Sequence, residues 1–389
     1  MRHFPLPSST RYLGSFALLA ALCLSLPMSA QHLLVLHSFT DGADGRNPVA
    51  NLLMDQAGNL YGTTLNDGRG LSSKGTVFKI DTSNHLTVLH VFSEKNDGAY
   101  PRAGLIMDGR GNLYGTTEAG GLHNRGTIFE IDSSGNERVL YSFKGRPDGD
   151  SPYGNLVMDG AGTIFGTTDK GGLHNCGVVF KLFPDNEETV LYAFQGGADG
   201  CNPRAALTGN SQNTNLYGTT KNGGVHGQGT IFAVDGGTGN ESVIHSFTGD
   251  DGNAPLSTLV LDAANNLYGT AQAGGANDDG TVFKLAPSGE LTVLHAFGGA
   301  DGAHPDAGLI MDSTGNLYGT TENGGSADGG TVFKIDSSGT ETVLHSFTGH
   351  PDGRAPTASL IMDTQQNLYG TTERGGTLSF GTVFVLSQQ

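Results

Sequence analysis

The hexapeptide NLYGTT occupies residues 59–64 and recurs along the whole chain. Identical copies begin at Asn112, Asn215, Asn316 and Asn367, and near-copies are TIFGTT from Thr163 and NLYGTA from Asn266. The aromatic residue of these seven copies advances by 50 to 53 residues at each step. A fixed period of this size is typical of solenoids and propellers.

Each period contains four short β-like segments, which we name strands A to D. In the sixth period they are GLIMD from Gly308, NLYGTT from Asn316, GTVFKI from Gly330 and ETVLHSF from Glu341. Turn-forming residues bound each segment, and no segment has a helical periodicity of useful length. Four strands in each of seven units predict an all-β protein, a seven-bladed β-propeller with four-stranded blades.

The two ends of the repeat region support a closed ring. LLVLHSF from Leu33 is a D strand with no A, B or C strand before it, and GTVFVL from Gly381 is a C strand with no D strand after it. Pairing these two strands would complete the last blade and remove open strand edges, which favour aggregation. We therefore expect the N-terminal strand to pair into the seventh blade and close the ring.

The hexapeptide itself is best explained as scaffold. Its leucine and its aromatic residue point to opposite faces of strand B, so each can pack against a neighbouring blade. The glycine present in every copy leaves room for a close backbone approach or a bulge. The threonines favour strand geometry and can form local hydrogen bonds.

Composition restricts the partners of the protein. The chain has 389 residues, 62 glycines, 15% charged residues and no tryptophan, which suits a β protein with many tight turns. Its formal net charge is −17 at pH 7. Such an acidic balance argues against nucleic acid and anionic lipid as partners. We expect a monomer.

The first thirty residues differ from the repeats. Arg2 and Arg11 precede an apolar segment, roughly Phe16 to Leu26, and small residues lead up to Ala30. This order predicts a signal peptide over residues 1–30 and a single propeller domain over residues 31–389. The apolar segment is shorter than the ~20 residues of a spanning helix, so we favour cleavage over a membrane anchor. The expected location is secreted or periplasmic.

The motifs NLYGTT, GTVFKID, TVLHSF and DGxxP together resemble the GloVer tandem-repeat family across residues 33–386. The resemblance implies a secreted bacterial repeat protein and implies no established activity. The family is described by varied C-terminal anchors, and no such anchor is recognisable here, so release from the cell is expected. Kelch propellers are a better-known analogue, but the missing tryptophan and the different D strand argue against membership of the kelch group.

Blade topology places the B–C and D–A loops on one face, where function is expected. The D–A loops carry Asp-Gly-x-x-Pro in every unit, which favours a structural turn over a calcium site, because one Asp per blade supplies too few converging oxygens. The aspartates are Asp44, Asp97, Asp148, Asp199, Asp251, Asp301 and Asp352.

Histidines occur at two repeated places, and neither predicts a metal or a cofactor. His123, His174 and His226 lie in consecutive B–C loops, which would usually hold them too far apart for zinc. Other histidines lie in D strands, where tyrosine replaces them in two copies, so a hydrogen-bonded packing position is the better interpretation. The D-strand positions are His37, His90, Tyr141, Tyr192, His245, His295 and His345.

The positions that break the repeat are the best candidates for a site. The residue after each D–A proline should line the mouth of the central channel: Val49, Arg102, Tyr153, Arg204, Leu256, Asp306 and Thr357. We hypothesise that Arg102, Tyr153, Arg204 and Asp306, with His304, bind a small polar or anionic ligand, for which a saccharide is one candidate. The alternative is ordinary sequence drift at exposed loop ends.

The cysteines predict a disulfide, and the lack of catalytic motifs bears on the expected function. Cys176 and Cys201 lie in loops of neighbouring blades on the same face, and we predict a disulfide between them. There is no G-x-S-x-G elbow and no phosphate loop. The leading hypothesis is a non-catalytic scaffold for binding or cell-surface interaction. The alternative is a lactonase-like hydrolase or a polysaccharide lyase, with Asp306 and His304 as its candidate residues.

Overall fold

The computed structural model describes residues 1, 3, 31–68, 74–93, 96–209 and 215–387. The predicted signal peptide lies outside these ranges, apart from residues 1 and 3. Within the described residues, no helix is both long enough and apolar enough to cross a membrane.

Seven antiparallel sheets form a ring of blades, which confirms the predicted all-β propeller. In blade 1 the strands are β2 (Leu53–Met54), β3 (Leu60–Thr64), β4 (Thr76–Ile80) and β5 (Leu86–Val91). In blade 2 they are β6 (Ile106–Met107), β7 (Leu113–Thr117), β8 (Thr127–Ile131) and β9 (Glu137–Ser142). In blade 3 they are β11 (Val157–Met158), β12 (Ile164–Gly171), β13 (Val178–Leu182) and β14 (Glu188–Ala193), and β10 (Gly149–Pro152) adds a fifth strand.

The other four blades have the same order of strands. Blade 4 has β15 (Thr208–Gly209), β16 (Asn215–Thr220), β17 (Thr230–Asp235) and β18 (Glu241–Ser246), and a 3-10 turn at Gly197–Asp199 precedes it. Blade 5 has β19 (Val260–Leu261), β20 (Leu267–Ala271), β21 (Thr281–Leu285) and β22 (Leu291–Ala296). Blade 6 has β23 (Ile310–Met311), β24 (Leu317–Thr321), β25 (Thr331–Ile335) and β26 (Glu341–Ser346). Blade 7 has β27 (Ile361–Met362), β28 (Leu368–Thr372) and β29 (Thr382–Ser387), and β1 (His32–Ser38) is its outer strand.

The ring closes as the sequence predicts. Strand β1 pairs antiparallel with β29, so that His32 lies opposite Ser387 and Leu33 opposite Leu386. Phe39, directly after β1, packs with Leu52 and Phe78 of blade 1 in one buried cluster. The first segment of the chain therefore completes the last blade and also contacts the first one.

The hydrophobic core is divided among the interfaces between blades. At each interface the phenylalanine that follows strand D packs edge-to-face on the phenylalanine of strand C in the next blade, with ring centroids 5.0 to 5.3 Å apart. Such aromatic pairs stabilise by about 0.5–1.5 kcal/mol beyond the area that they bury. Because the same pair recurs seven times, every blade is held to its neighbours in the same way.

The hexapeptide has a structural role at each of its positions. In blade 6 Leu317 is buried, and the Tyr318 hydroxyl donates to Asp312 Oδ2 at 3.2 Å in the A–B turn. A Cβ on Gly319 would lie 2.6 Å from Cζ of Phe333, the residue opposite it in strand C. The glycine therefore allows a close approach, and the bulge of this blade lies between strands C and D.

The threonines link strands and blades. Thr320 Oγ1 donates to the Ala358 carbonyl of blade 7 at 3.2 Å, and Thr371 Oγ1 donates to the Ala50 carbonyl across the closure at 3.3 Å. The second threonine bonds within its blade, as in the contact of 2.9 Å between the hydroxyls of Thr321 and Thr331.

Candidate functional site

The D–A loops that carry the channel mouth are fixed by their Asp-Gly aspartates. In blade 5 the Asp301 Oδ2 lies 2.8 Å from His295 Nε2, and its Oδ1 accepts the Gly298 N–H at 2.9 Å. The same contact to the histidine or tyrosine of strand D occurs in all seven loops at 2.8 to 3.1 Å. This confirms both the structural turn and the hydrogen-bonded packing position that the sequence predicts.

The residue before each mouth proline has a left-handed backbone. Its N–H donates to a carbonyl in the B–C loop of the preceding blade, as His304 N–H does to Asp279 at 2.8 Å. The left-handed region is unusual for residues with a side chain, so the contacts on both sides must hold it. These residues are Asn47, Tyr100, Ser151, Asn202, Ala254, His304 and Ala355, with φ from 53° to 63°.

The mouth is a single cavity of about 200 Å³. All seven residues that follow the D–A prolines line it, and they are joined there by Glu322 and Glu373. The structure therefore brings together Arg102, Tyr153, Arg204 and Asp306 at the place that the sequence predicts. A second cavity of about 90 Å³ continues into the channel below, between small and polar side chains such as Asn51 and Asn155.

One side of the mouth holds two arginines close to the ring of a tyrosine. The guanidinium carbons of Arg102 and Arg204 lie 5.4 and 5.0 Å from the ring centre of Tyr153. These are cation–π distances. Arg204 also forms an ion pair with Asp169, with Nε 2.8 Å from Oδ1, and Arg102 forms one with Glu118. Both arginines are therefore fixed and already paired with carboxylates.

The opposite side of the mouth is acidic. Asp306 Oδ1 is buried and has no hydrogen-bond partner among the described residues. Burial, and after it the nearby Glu322 carboxylate, raises the pKa of Asp306 to about 7. Near neutral pH this group is therefore divided between a proton donor and a proton acceptor.

The acidic partners Glu118, Asp169, Glu322 and Glu373 share a repeat position that the sequence analysis did not identify. Each is the residue that directly follows the hexapeptide, at the end of strand B. The signal was present in the sequence, because this position also varies in charge from one copy to the next: Leu65, Glu118, Asp169, Lys221, Gln272, Glu322 and Glu373.

His304 lies apart from the other candidate residues. It does not line the mouth cavity, although its near neighbour Asp306 does. It lines a separate surface cavity of about 600 Å³ with Asp279, Asn323 and Asp328. The left-handed backbone at His304, with φ of 56°, explains this difference, because it turns the side chain away from the course that a continuous strand would give it.

The two cysteines and the loop histidines lie around the same face. Cys176 and Cys201 form a disulfide with Cα atoms 4.5 Å apart, which joins the B–C loop of blade 3 to the loop that precedes Arg204. His123, His174 and His226 are exposed, and they belong to neither of the two groups of three metal-ligand side chains found among the described residues.

Solved structures share the fold of this protein. A streptogramin B lyase aligns with a TM-score of 0.63 at 14% identity, over 93% of this chain and 99% of that one. A virginiamycin B lyase from Staphylococcus aureus aligns with a TM-score of 0.62 at 12% identity, over 92% of this chain and 98% of that one. A Bacteroides uniformis protein described as a 6-phosphogluconolactonase gives 0.52 at 18% identity, over 76% and 83%. At these identities the likeness concerns the fold alone.

Sequence comparison gives a more specific result. No curated protein matches the chain. The sequence does match the family described as the Gloeobacter/Verrucomicrobia repeat, over residues 21–214 and 198–384, which together span nearly all of the repeat region. The GloVer resemblance is thereby confirmed, and the chain belongs to the Gloeobacter/Verrucomicrobia repeat family.

Proposed function

We propose that this protein is a secreted binding protein whose ligand is a small saccharide or the end of a saccharide chain, held at the channel mouth. The observation that carries this proposal is the convergence of seven non-repeating side chains on one cavity, on a scaffold that otherwise repeats. Packing alone would favour the same side chain in every blade. Variation of every side chain that converges on one cavity is typical of a binding site on a rigid scaffold.

The charges of the mouth favour a neutral ligand over an anionic one. Arg102 and Arg204 are each paired with a carboxylate, so neither is free to neutralise an anion. Asp306, Glu322 and Glu373 add further acidic groups to the same cavity. Sugar hydroxyls can donate to these carboxylates and accept from the guanidinium groups, without bringing in another negative charge.

The size of the mouth restricts the ligand further. Pockets for drug-sized ligands enclose roughly 300–1,000 Å³, whereas this one encloses about 200 Å³. A single sugar residue is suited to this space, with Val49 and Leu256 as apolar wall. Two guanidinium groups already lie over the Tyr153 ring, so we expect its hydroxyl and edge to contact the ligand.

A glycan array with the purified protein, followed by calorimetry with the best glycan, tests the proposal. We expect Arg204→Ala to weaken binding at least tenfold, because hydrogen bonds to charged groups contribute about 1.5–3 kcal/mol. Arg110→Ala is the matched control, because Arg110 is an exposed arginine in an A–B turn away from the mouth. No bound glycan, or equal binding by Arg204→Ala and wild type, would contradict the proposal.

A catalytic role is the second candidate, and the paired carboxylates Asp306 and Glu322 favour it. A buried carboxyl with a pKa of about 7 beside another carboxylate is the arrangement used for general acid–base catalysis. If the protein acts as a lyase or lactonase, Asp306→Asn should abolish turnover and keep saccharide binding. Binding without turnover by the wild type, across the array glycans and simple lactones, would favour the non-catalytic role.

Secretion is part of the proposal, and the disulfide near the mouth supports it. Disulfides persist in oxidising compartments, and this one holds a loop that leads directly to Arg204. N-terminal sequencing of the protein recovered from culture medium or periplasm should give a first residue near Gln31. Recovery of the intact chain from the cytoplasm would contradict it.

A further inference from the structure

A second feature lies at the outer rim, where the end of strand D in one blade meets the start of strand D in the next. Between blades 5 and 6, His295, Asp301 and Glu341 place three ligand atoms within 4.8 Å of one another. Between blades 1 and 2, His90, Asp97 and Glu137 form a group of the same composition. In each group the glutamate comes from the neighbouring blade.

The group at blades 5 and 6 has an unbalanced set of polar atoms. Asp301 uses Oδ1 for the Gly298 N–H and leaves Oδ2 beside His295 Nε2 at 2.8 Å. Glu341 Oε1 is buried and accepts no hydrogen bond from the described residues. Two carboxylates thus lie close together beside one imidazole, and no lysine or arginine of the described residues forms an ion pair with them. Such a buried oxygen is costly unless a cation or a proton compensates it.

We propose that each of the two His–Asp–Glu groups binds a divalent transition-metal ion of the Zn²⁺ type, which connects two neighbouring blades at the rim. Imidazole nitrogen and carboxylate oxygen are ordinary zinc ligands, at about 2.0–2.2 Å from the metal. Two ligands at that distance on one tetrahedral ion are separated by about 3.4 Å, so the His–Asp distances of 2.8 and 3.1 Å need to widen by only a few tenths of an ångström on binding. Three protein ligands leave a coordination position for water.

The other five interfaces provide natural comparisons. Three of them keep the His–Asp pair but have leucine at the position of the glutamate: Leu33, Leu86 and Leu291. Two keep the glutamate but have tyrosine instead of histidine, and there the Tyr141 and Tyr192 hydroxyls donate to the aspartate at 2.9 and 3.0 Å. The His–Asp pair is therefore scaffold by itself, and the third ligand distinguishes the two proposed sites.

Calorimetric titration of the EDTA-stripped, purified protein with ZnCl₂ tests the proposal. We expect two ions per chain with micromolar or tighter dissociation constants, one in Glu341→Leu and none in the double variant E137L/E341L. Zinc should also raise the Tm of the wild type and not that of the double variant, since binding to the folded state stabilises it. Leucine occurs naturally at the equivalent positions, so both variants should fold.

The matched control is His245→Ala, which removes the same His–Asp contact at an interface where Leu291 replaces the glutamate. This variant should still bind two ions. Wild-type protein that binds one ion or none, or an E137L/E341L variant that still binds two, would overturn the proposal. Saccharide binding at the channel mouth is measured separately, and neither result depends on the other.

Discussion

Among single residues, the hexapeptide glycine shows why this motif tolerates so little change. A methyl group at Gly319 would lie 2.6 Å from the ring of Phe333, and that ring is itself packed edge-to-face on Phe297 of the preceding blade. The phenylalanine therefore cannot move away without disturbing the interface between the blades. The near-copies TIFGTT and NLYGTA change other positions and keep this glycine, as the packing requires.

Gly319→Ala should lower the stability of the protein by about 1–3 kcal/mol, the usual range for overpacking a core. The decrease should appear as a lower Tm and a lower urea midpoint. Gly109→Ala is the control, because a Cβ at Gly109 would meet nothing within 4 Å. Equal stability of the two variants would show that the ring of Phe333 can adapt.

The residues of the mouth could be predicted only in part from the sequence. Each D–A proline fixes where strand A begins, so Arg102 and Asp306 could be assigned to the channel. Glu322 and Glu373 could not, because they follow a different strand, and their approach to the mouth depends on how the sheets twist. His304, two residues before Asp306, does not line the mouth cavity, and a left-handed backbone cannot be inferred from histidine.

At the scale of strands, glutamates at the start of strand D make the stability of the contact between two blades depend on pH. Glu188 and Glu241 begin β14 and β18, and each is held beside the tyrosine and aspartate of the preceding blade. Burial, and after it Asp148 or Asp199, raises the pKa of each glutamate to about 7. In the unfolded chain each glutamate has its ordinary pKa of about 4.3. The folded protein therefore keeps these protons over a pH range in which the unfolded chain has lost them.

The sign of the effect follows from this difference. Stability should fall as pH rises from about 4.5 to 7, because the unfolded chain binds fewer protons there than the folded chain. Other blades have leucine at this position of strand D. The Tm of the variant E188L/E241L should therefore decrease less between pH 5 and pH 8 than the Tm of the wild type. Glu187→Gln, which removes an adjacent exposed carboxylate, should keep the wild-type profile. An unchanged profile in the double variant would contradict this assignment.

At the scale of the whole molecule, the ring depends on a contact between the two ends of the repeat region. His32, at the start of β1, lies opposite Ser387, at the end of β29. In the other blades the start of strand D lies opposite the end of strand C in the same way. The closure therefore reproduces an ordinary C–D connection that has been cut. Offset segments at the two ends made this predictable from the sequence, whereas the rim contact between Glu341 and His295 required the three-dimensional arrangement.

A circular permutant should test the equivalence of the blades. Joining Ser387 to His32 by a short turn and opening the chain at Ser338, in the C–D turn of blade 6, moves the closure by one blade. We expect circular dichroism and Tm close to those of the wild type. Deletion of residues 31–38 should instead expose the edge of β29 and promote aggregation. A permutant that fails to fold would show that the seventh blade has a special role in closure.

The left-handed residue before each mouth proline has a consequence for how such proteins diversify. Its N–H holds the loop to the preceding blade through the backbone, so the hydrogen bond does not depend on the side chain that follows the proline. Seven side chains can therefore be exchanged while the loop geometry is retained. In evolutionary terms the mouth has seven variable positions on a constant backbone, and new specificities can arise by single substitutions. The same property makes these seven positions the natural set to randomise in a designed binder library.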